Sequence, residues 1–104
     1  MNIAELIPVG RKYAISRARL RRLTGLNDSA MRGEIAKARR ETCILNLQDG
    51  NGYFKPDNKE DVARYIAQEE HRAKSIFMNL RGAKKYYNEI AGQMVFDIEE
   101  DYNE

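Results

Sequence analysis

The chain has 104 residues and a formal net charge of +2, a size that fits one domain with an appended element. Its apolar share of 42% supports a small core, and its 33% of charged residues puts water on most helical faces. No window approaches the roughly 20 apolar residues of a membrane span, and MNIAELIPVGRK is not a secretory signal, so no membrane partner and a cytoplasmic location are expected. A lone Cys43 excludes an intramolecular disulfide, and with only His71 beside it no zinc site is expected.

In chain order, Ile3, Leu6 and Ile7 predict a short first helix, stopped by Pro8 and Gly10. After the polar GRKYA loop, Ser16 is a good N-cap for an amphipathic helix over about 16–24 carrying Ala18, Leu20 and Leu23. Gly25 ends it, because glycine tolerates the left-handed conformation at a helix C-terminus. Asn27 caps the next helix, to about Glu41, with Met31, Ile35 and Ala38 on its apolar side. In TCILNLQDGNGYFKP, the apolar Ile44, Leu45 and Leu47, the Asp49-Gly50 and Asn51-Gly52 turn signals and Tyr53-Phe54 predict a β-hairpin over 43–47 and 52–55.

Asp57 or Asn58 then caps a long helix. Val62, Ile66, Glu69, Ala73, Ile76, Leu80, Ala83, Tyr87, Ile90 and Met94 alternate spacings of four and three, a heptad seam in which only Glu69 is polar. The small N-terminal core cannot cover such a helix, so it either folds back near Arg81-Gly82 or packs on another chain. The expected fold is mainly α with a small β-hairpin: a winged helix-turn-helix over 1–56, a long helix over 57–95 and an acidic tail over 96–104.

Charge follows the same division. Residues 1–56 carry 11 Lys and Arg against 5 Asp and Glu, and residues 57–104 carry 7 against 11. A basic half joined to an acidic half is an expected pattern for a nucleic-acid binder.

The order helix, helix, tight turn, helix, hairpin is that of a winged helix-turn-helix. Ile7-Pro8-Val9-Gly10, Ile15-Ser16, Thr24-Gly25-Leu26, Gly52-Tyr53-Phe54 and Glu70-His71-Arg72-Ala73 resemble the motifs of small DNA-binding proteins of phages and prophages of Gram-positive bacteria. The segment from Ile15 to Pro56 also resembles the N-terminal domain of the biotin operon repressor, although Arg21 stands where the motif usually has a small residue. The resemblance implies a transcriptional regulator of a bacterial host cell that binds double-stranded DNA, with the 27–41 helix in the major groove and the 43–55 hairpin as wing.

On the helix face opposite Met31, Ile35 and Ala38 lie Ser29, Gly33, Ala36, Lys37 and Arg40, with Arg32 on the flank. Cations there suit guanine edges, and Gly33 removes bulk. Arg17 is a phosphate candidate, and Asn51 and Lys55 belong to the wing. Ile66, Ala73, Ile76, Leu80, Ala83 and Tyr87 are the expected homodimer interface.

A second reading of the same sequence is a protein–protein adaptor. Its long helix would recruit a host or phage protein of the replication or transcription machinery. No phosphate-binding glycine loop, nucleophile–base pair or metal-ligand spacing is evident, so neither an enzyme nor a cofactor or metal is expected.

Overall fold

The computed structural model describes residues 2–92, which fall into two units divided between Ile66 and Ala67. The acidic tail over 96–104 and Met94, the last seam position, lie outside the described residues.

Secondary structure among the described residues is entirely helical, which corrects the mixed fold expected above. Short 3₁₀ turns at Ile3–Leu6 and Arg11–Tyr13 precede three α-helices: α1 (Arg17–Thr24), α2 (Asp28–Ala38) and α3 (Lys59–Ala91). The capping residues explain where each helix starts and stops. The Ser16 side chain accepts from the Arg19 N–H, and Gly25 closes α1 in the left-handed region at φ 73°. The Thr24 hydroxyl donates to the Leu20 carbonyl at 2.9 Å and accepts from the Leu26 N–H at 3.2 Å, which tightens the turn into α2. Asn27 caps α2 by accepting from the Ala30 N–H, and Asn58 caps α3 by accepting from the Asp61 N–H. α2 ends at Ala38, short of the expected Glu41; Arg39 is its C-cap, still in the right-handed region with its N–H on the Ile35 carbonyl.

The first unit closes around Ile3, Ile7, Ile15, Leu20, Met31, Ile35, Ile44 and Tyr53, all buried. Leu45, Leu47 and Phe54 form a second cluster, against which Val62 and Tyr65 from the first turns of α3 pack. Leu23, expected on the apolar side of α1, is instead 56% exposed.

The expected hairpin over 43–47 and 52–55 is absent, and no β-strand occurs among the described residues. Three isolated bridges stand in its place: Leu45 with Phe54, Ile15 with Tyr53, and Val9 with Lys55. The intervening loop shows why no ladder grows. Gln48, Gly50 and Gly52 all have positive φ, and the Asn46 and Asp49 side chains accept from the Gln48 and Asn51 N–H groups. Side chains thus take the backbone donors that a ladder would use, and the chain turns back on itself residue by residue. Gly52 is required here: at φ 105° a Cβ would overlap the Ile15 carbonyl.

α3 passes through Gly82 without a break, so the expected alternative of a fold-back near Arg81-Gly82 does not occur. At 1.5 Å per residue its 33 residues span about 50 Å. Gly92 follows its end at φ 75°, a left-handed terminator.

Candidate interaction surface

Two surfaces carry the residues singled out in the sequence. The first is the outer side of α2. Ser29, Gly33, Ala36, Lys37 and Arg40 are exposed there, with Arg32 beside them. Arg32 Nε lies 3.1 Å from Asp28 Oδ2, Arg17 Nε lies 3.5 Å from Asp28 Oδ1, and Lys37 Nζ lies 3.6 Å from Glu34 Oε2. Within α2, Arg32 and Lys37 stand against Asp28 and Glu34, so the helix has no net formal charge. Asp28 Oδ1 is shielded from solvent and takes no hydrogen bond. The Arg17 charge and the positive end of the α2 dipole compensate it instead.

Asn51 is exposed at the edge of a shallow groove of about 470 Å³ that Leu6, Tyr13 and Leu23 also line. Lys55 is half-buried, and its backbone is tied to the Pro8 carbonyl and the Gly10 N–H. Gly33 has nothing within 4 Å of where a Cβ would sit.

With no hairpin, there is no wing to flank a helix in a groove, and the reading of the chain as a winged helix-turn-helix DNA-binding regulator is overturned. No protein-family model, curated protein or solved structure matches the chain, so the resemblance to phage and prophage regulators has no relative behind it either.

The second surface is the seam of α3. In the second unit, Ala73, Ile76, Leu80, Ala83 and Tyr87 are all exposed; Ile66, at the end of the first unit, is 50% exposed. Ile76 is 55% exposed, Leu80 43% and Ile90 65%, an unusual amount of open aliphatic surface for one helix. Phe77 and Tyr86 flank the stripe on either side, and Met78 is exposed on the opposite side of the helix. Glu69, the single polar seam residue, accepts from the Gln68 amide at 3.1 Å and pairs with Arg72 at 3.4 Å, so its charge is already met on its own helix. No described helix is long and apolar enough to cross a membrane. Among the described residues no group of three or more His, Cys, Asp or Glu stands ready to hold a metal ion.

Arg39 is the residue whose part the sequence did not reveal. Its Nε donates to the Ile44 carbonyl at 2.9 Å, and its guanidinium lies over the Tyr53 and Tyr65 rings at 5.9 and 5.4 Å. It joins the end of α2 to Ile44 and Tyr53 of the first cluster and to Tyr65 at the start of α3. Nothing in the local run Lys37 to Glu41 separates it from the neighbouring cations, because the two rings come from distant positions in the chain.

Proposed function

We propose that this chain is a protein–protein adaptor and that α3 is its docking element, pairing through its apolar stripe with an amphipathic helix. The observation that carries this reading is the exposed seam itself. Ala73, Ile76, Leu80, Ala83 and Tyr87 recur at heptad spacing along one side of an unbroken helix, and all five meet water. A helix of this kind gains most of its stability from burying such a face, since propensity alone leaves isolated helices marginal. An internal glycine makes the point sharper: Gly82 sits inside α3, where it costs about 1 kcal/mol relative to alanine. A helix-in-groove or coiled-coil contact reads such i, i+3, i+4, i+7 anchors directly.

The test is oxidative footprinting of the full chain, once purified and once in an extract of cells that make it. Ile76, Leu80 and Tyr87 are expected to be protected in at least one of the two settings, while Met78, on the opposite side of the helix, reacts freely. Reaction of the three seam residues at the rate of an unstructured peptide in both settings would overturn the reading.

A further inference from the structure

We infer that the helix docking on α3 is α3 of a second copy of this chain, running antiparallel about a two-fold axis that crosses the seam between Ile76 and Leu80. This inference rests on the adaptor reading and names its partner.

Three layers of the seam carry it. Ile76 and Leu80 lie two residues to either side of Met78, Ala73 and Ala83 lie five, and Glu69 and Tyr87 lie nine. An antiparallel two-fold pairs the members of each set, as isologous symmetry demands: residue i of one copy meets residue j of the other, and j meets i. Large aliphatic then faces large aliphatic, with Ile76 against Leu80 of the second copy. Small faces small, with Ala73 against Ala83, so the backbones approach evenly. Glu69 faces the Tyr87 phenol, which can donate a hydrogen bond to its carboxylate.

A parallel, in-register pair does the opposite. It stacks Glu69 on Glu69 inside the seam, where neither carboxylate meets a donor from the second copy. The flanks agree with the antiparallel order. Glu69 and Glu70 lie at one end of the stretch, and Arg81, Lys84 and Lys85 lie at the other. Antiparallel pairing sets Glu70 beside Lys84 of the second copy on one side of the seam, and Arg72 beside the ring of Tyr86 on the other. The two helix dipoles also oppose one another in this arrangement.

The experiment has two parts. Light scattering of the purified chain at tens of micromolar is expected to give twice the 12.0 kDa chain mass. A monomer overturns the inference, and the extract footprint then tells whether a different protein occupies the seam. The second part starts from Cys43→Ser, because Cys43 is an exposed free thiol. One chain carrying Ala73→Cys is mixed with one carrying Ala83→Cys in a glutathione redox buffer. Antiparallel pairing predicts the 73–83 heterodisulfide in at least tenfold excess over either homodisulfide. Dominant 73–73 and 83–83 products would overturn the antiparallel order while leaving α3 a pairing helix. Protection of the seam in neither footprinting setting would instead remove the adaptor reading itself.

Discussion

The two units spend their apolar residues in opposite ways. In residues 2–66, the large aliphatic and aromatic side chains of the core are almost wholly removed from water: Leu20, Met31, Ile35, Leu45 and Phe54 are each 1% exposed or less. In the second unit, the large apolar residues of α3 are open, with Ile76, Phe77, Met78, Leu80, Tyr86, Tyr87 and Ile90 all exposed. The same residue types thus serve a closed core in one stretch and an open face in the other. A closed core stabilises its own chain at any dilution. An open face contributes only when something covers it, and that contribution depends on concentration.

The largest expected effect tests this contrast directly. Phe54→Ala removes a ring that is 1% exposed and should cost the first unit about 3–5 kcal/mol. Urea unfolding followed by tyrosine fluorescence should show the loss equally at about 1 and about 50 micromolar protein. Leu80→Ala should leave that transition in place and lower the helical circular dichroism of α3 in proportion to dilution. A Leu80→Ala loss that is independent of protein concentration would mean that the chain covers its own seam.

The glycines give a second contrast. Gly52→Ala forces a Cβ into the Ile15 carbonyl at a backbone angle of 105° and should cost the first unit about 2–3 kcal/mol. Gly33→Ala and Gly82→Ala meet nothing within 4 Å, lie inside α2 and α3, and should each stabilise by about 1 kcal/mol. Thermal melts of the three single variants check the signs. An equal loss in all three would mean that Gly33 and Gly82 are held by contacts rather than tolerated.

Much of the helical layout was legible in local chemistry. Ser16, Asn27 and Asn58 carry side-chain acceptors just before helical runs, and each accepts from the N–H three residues on. Gly25 terminates α1 because it alone in that run adopts a positive φ without strain. The four–three spacing of α3 was likewise readable, and the structure leaves Ile66, Ala73, Ile76, Leu80, Ala83, Tyr87 and Ile90 exposed along a continuous helix.

The hairpin was misread for an equally local reason. Asp49-Gly50 and Asn51-Gly52 are turn signals, but turn residues do not say whether strands flank them. Positive φ at Gln48, Gly50 and Gly52 curls the loop so closely that only single bridges form. The reading of α2 as a cationic reader counted its outer Arg and Lys residues without their partners. Asp28 and Glu34 sit one turn away and pair with them. Arg39 was not legible at all, since its function depends on Tyr53 and Tyr65 meeting it in space.

That makes Arg39 the next test of the closed unit. Arg39→Ala removes the bond to the Ile44 carbonyl and the cation over two rings, and about 1–2 kcal/mol of first-unit stability should go with them. Arg39→Lys keeps the charge but not the planar guanidinium, so it should recover only part of the loss. Full recovery by lysine in urea unfolding would show that charge alone holds the junction.

The smallest expected effect concerns Asp49, at the tip of the loop between the bridges. Its carboxyl is held below the usual value, first by the hydrogen bond from the Asn51 N–H and then by the one from the Arg11 side chain. Arg11 Nη2 lies 2.6 Å from Asp49 Oδ2, and the Asn51 N–H reaches Oδ1 at 3.0 Å. A carboxylate whose pKa is lowered by folding adds stability above its unfolded value, near 3.9, and loses it as pH falls through the folded value. The contribution should be under about 1 kcal/mol, because the pair is solvated. Following the Asn51 amide shift by NMR from neutral pH into acid, the wild-type chain should titrate below the ordinary carboxylate range, and Asp49→Asn should be flat. Added salt should raise that midpoint only in part, because it screens the Arg11 charge but not the Asn51 N–H. A midpoint that returns fully to the ordinary value in high salt would assign the whole shift to Arg11. The closed unit would then be held at this loop by a surface ion pair rather than by its own backbone.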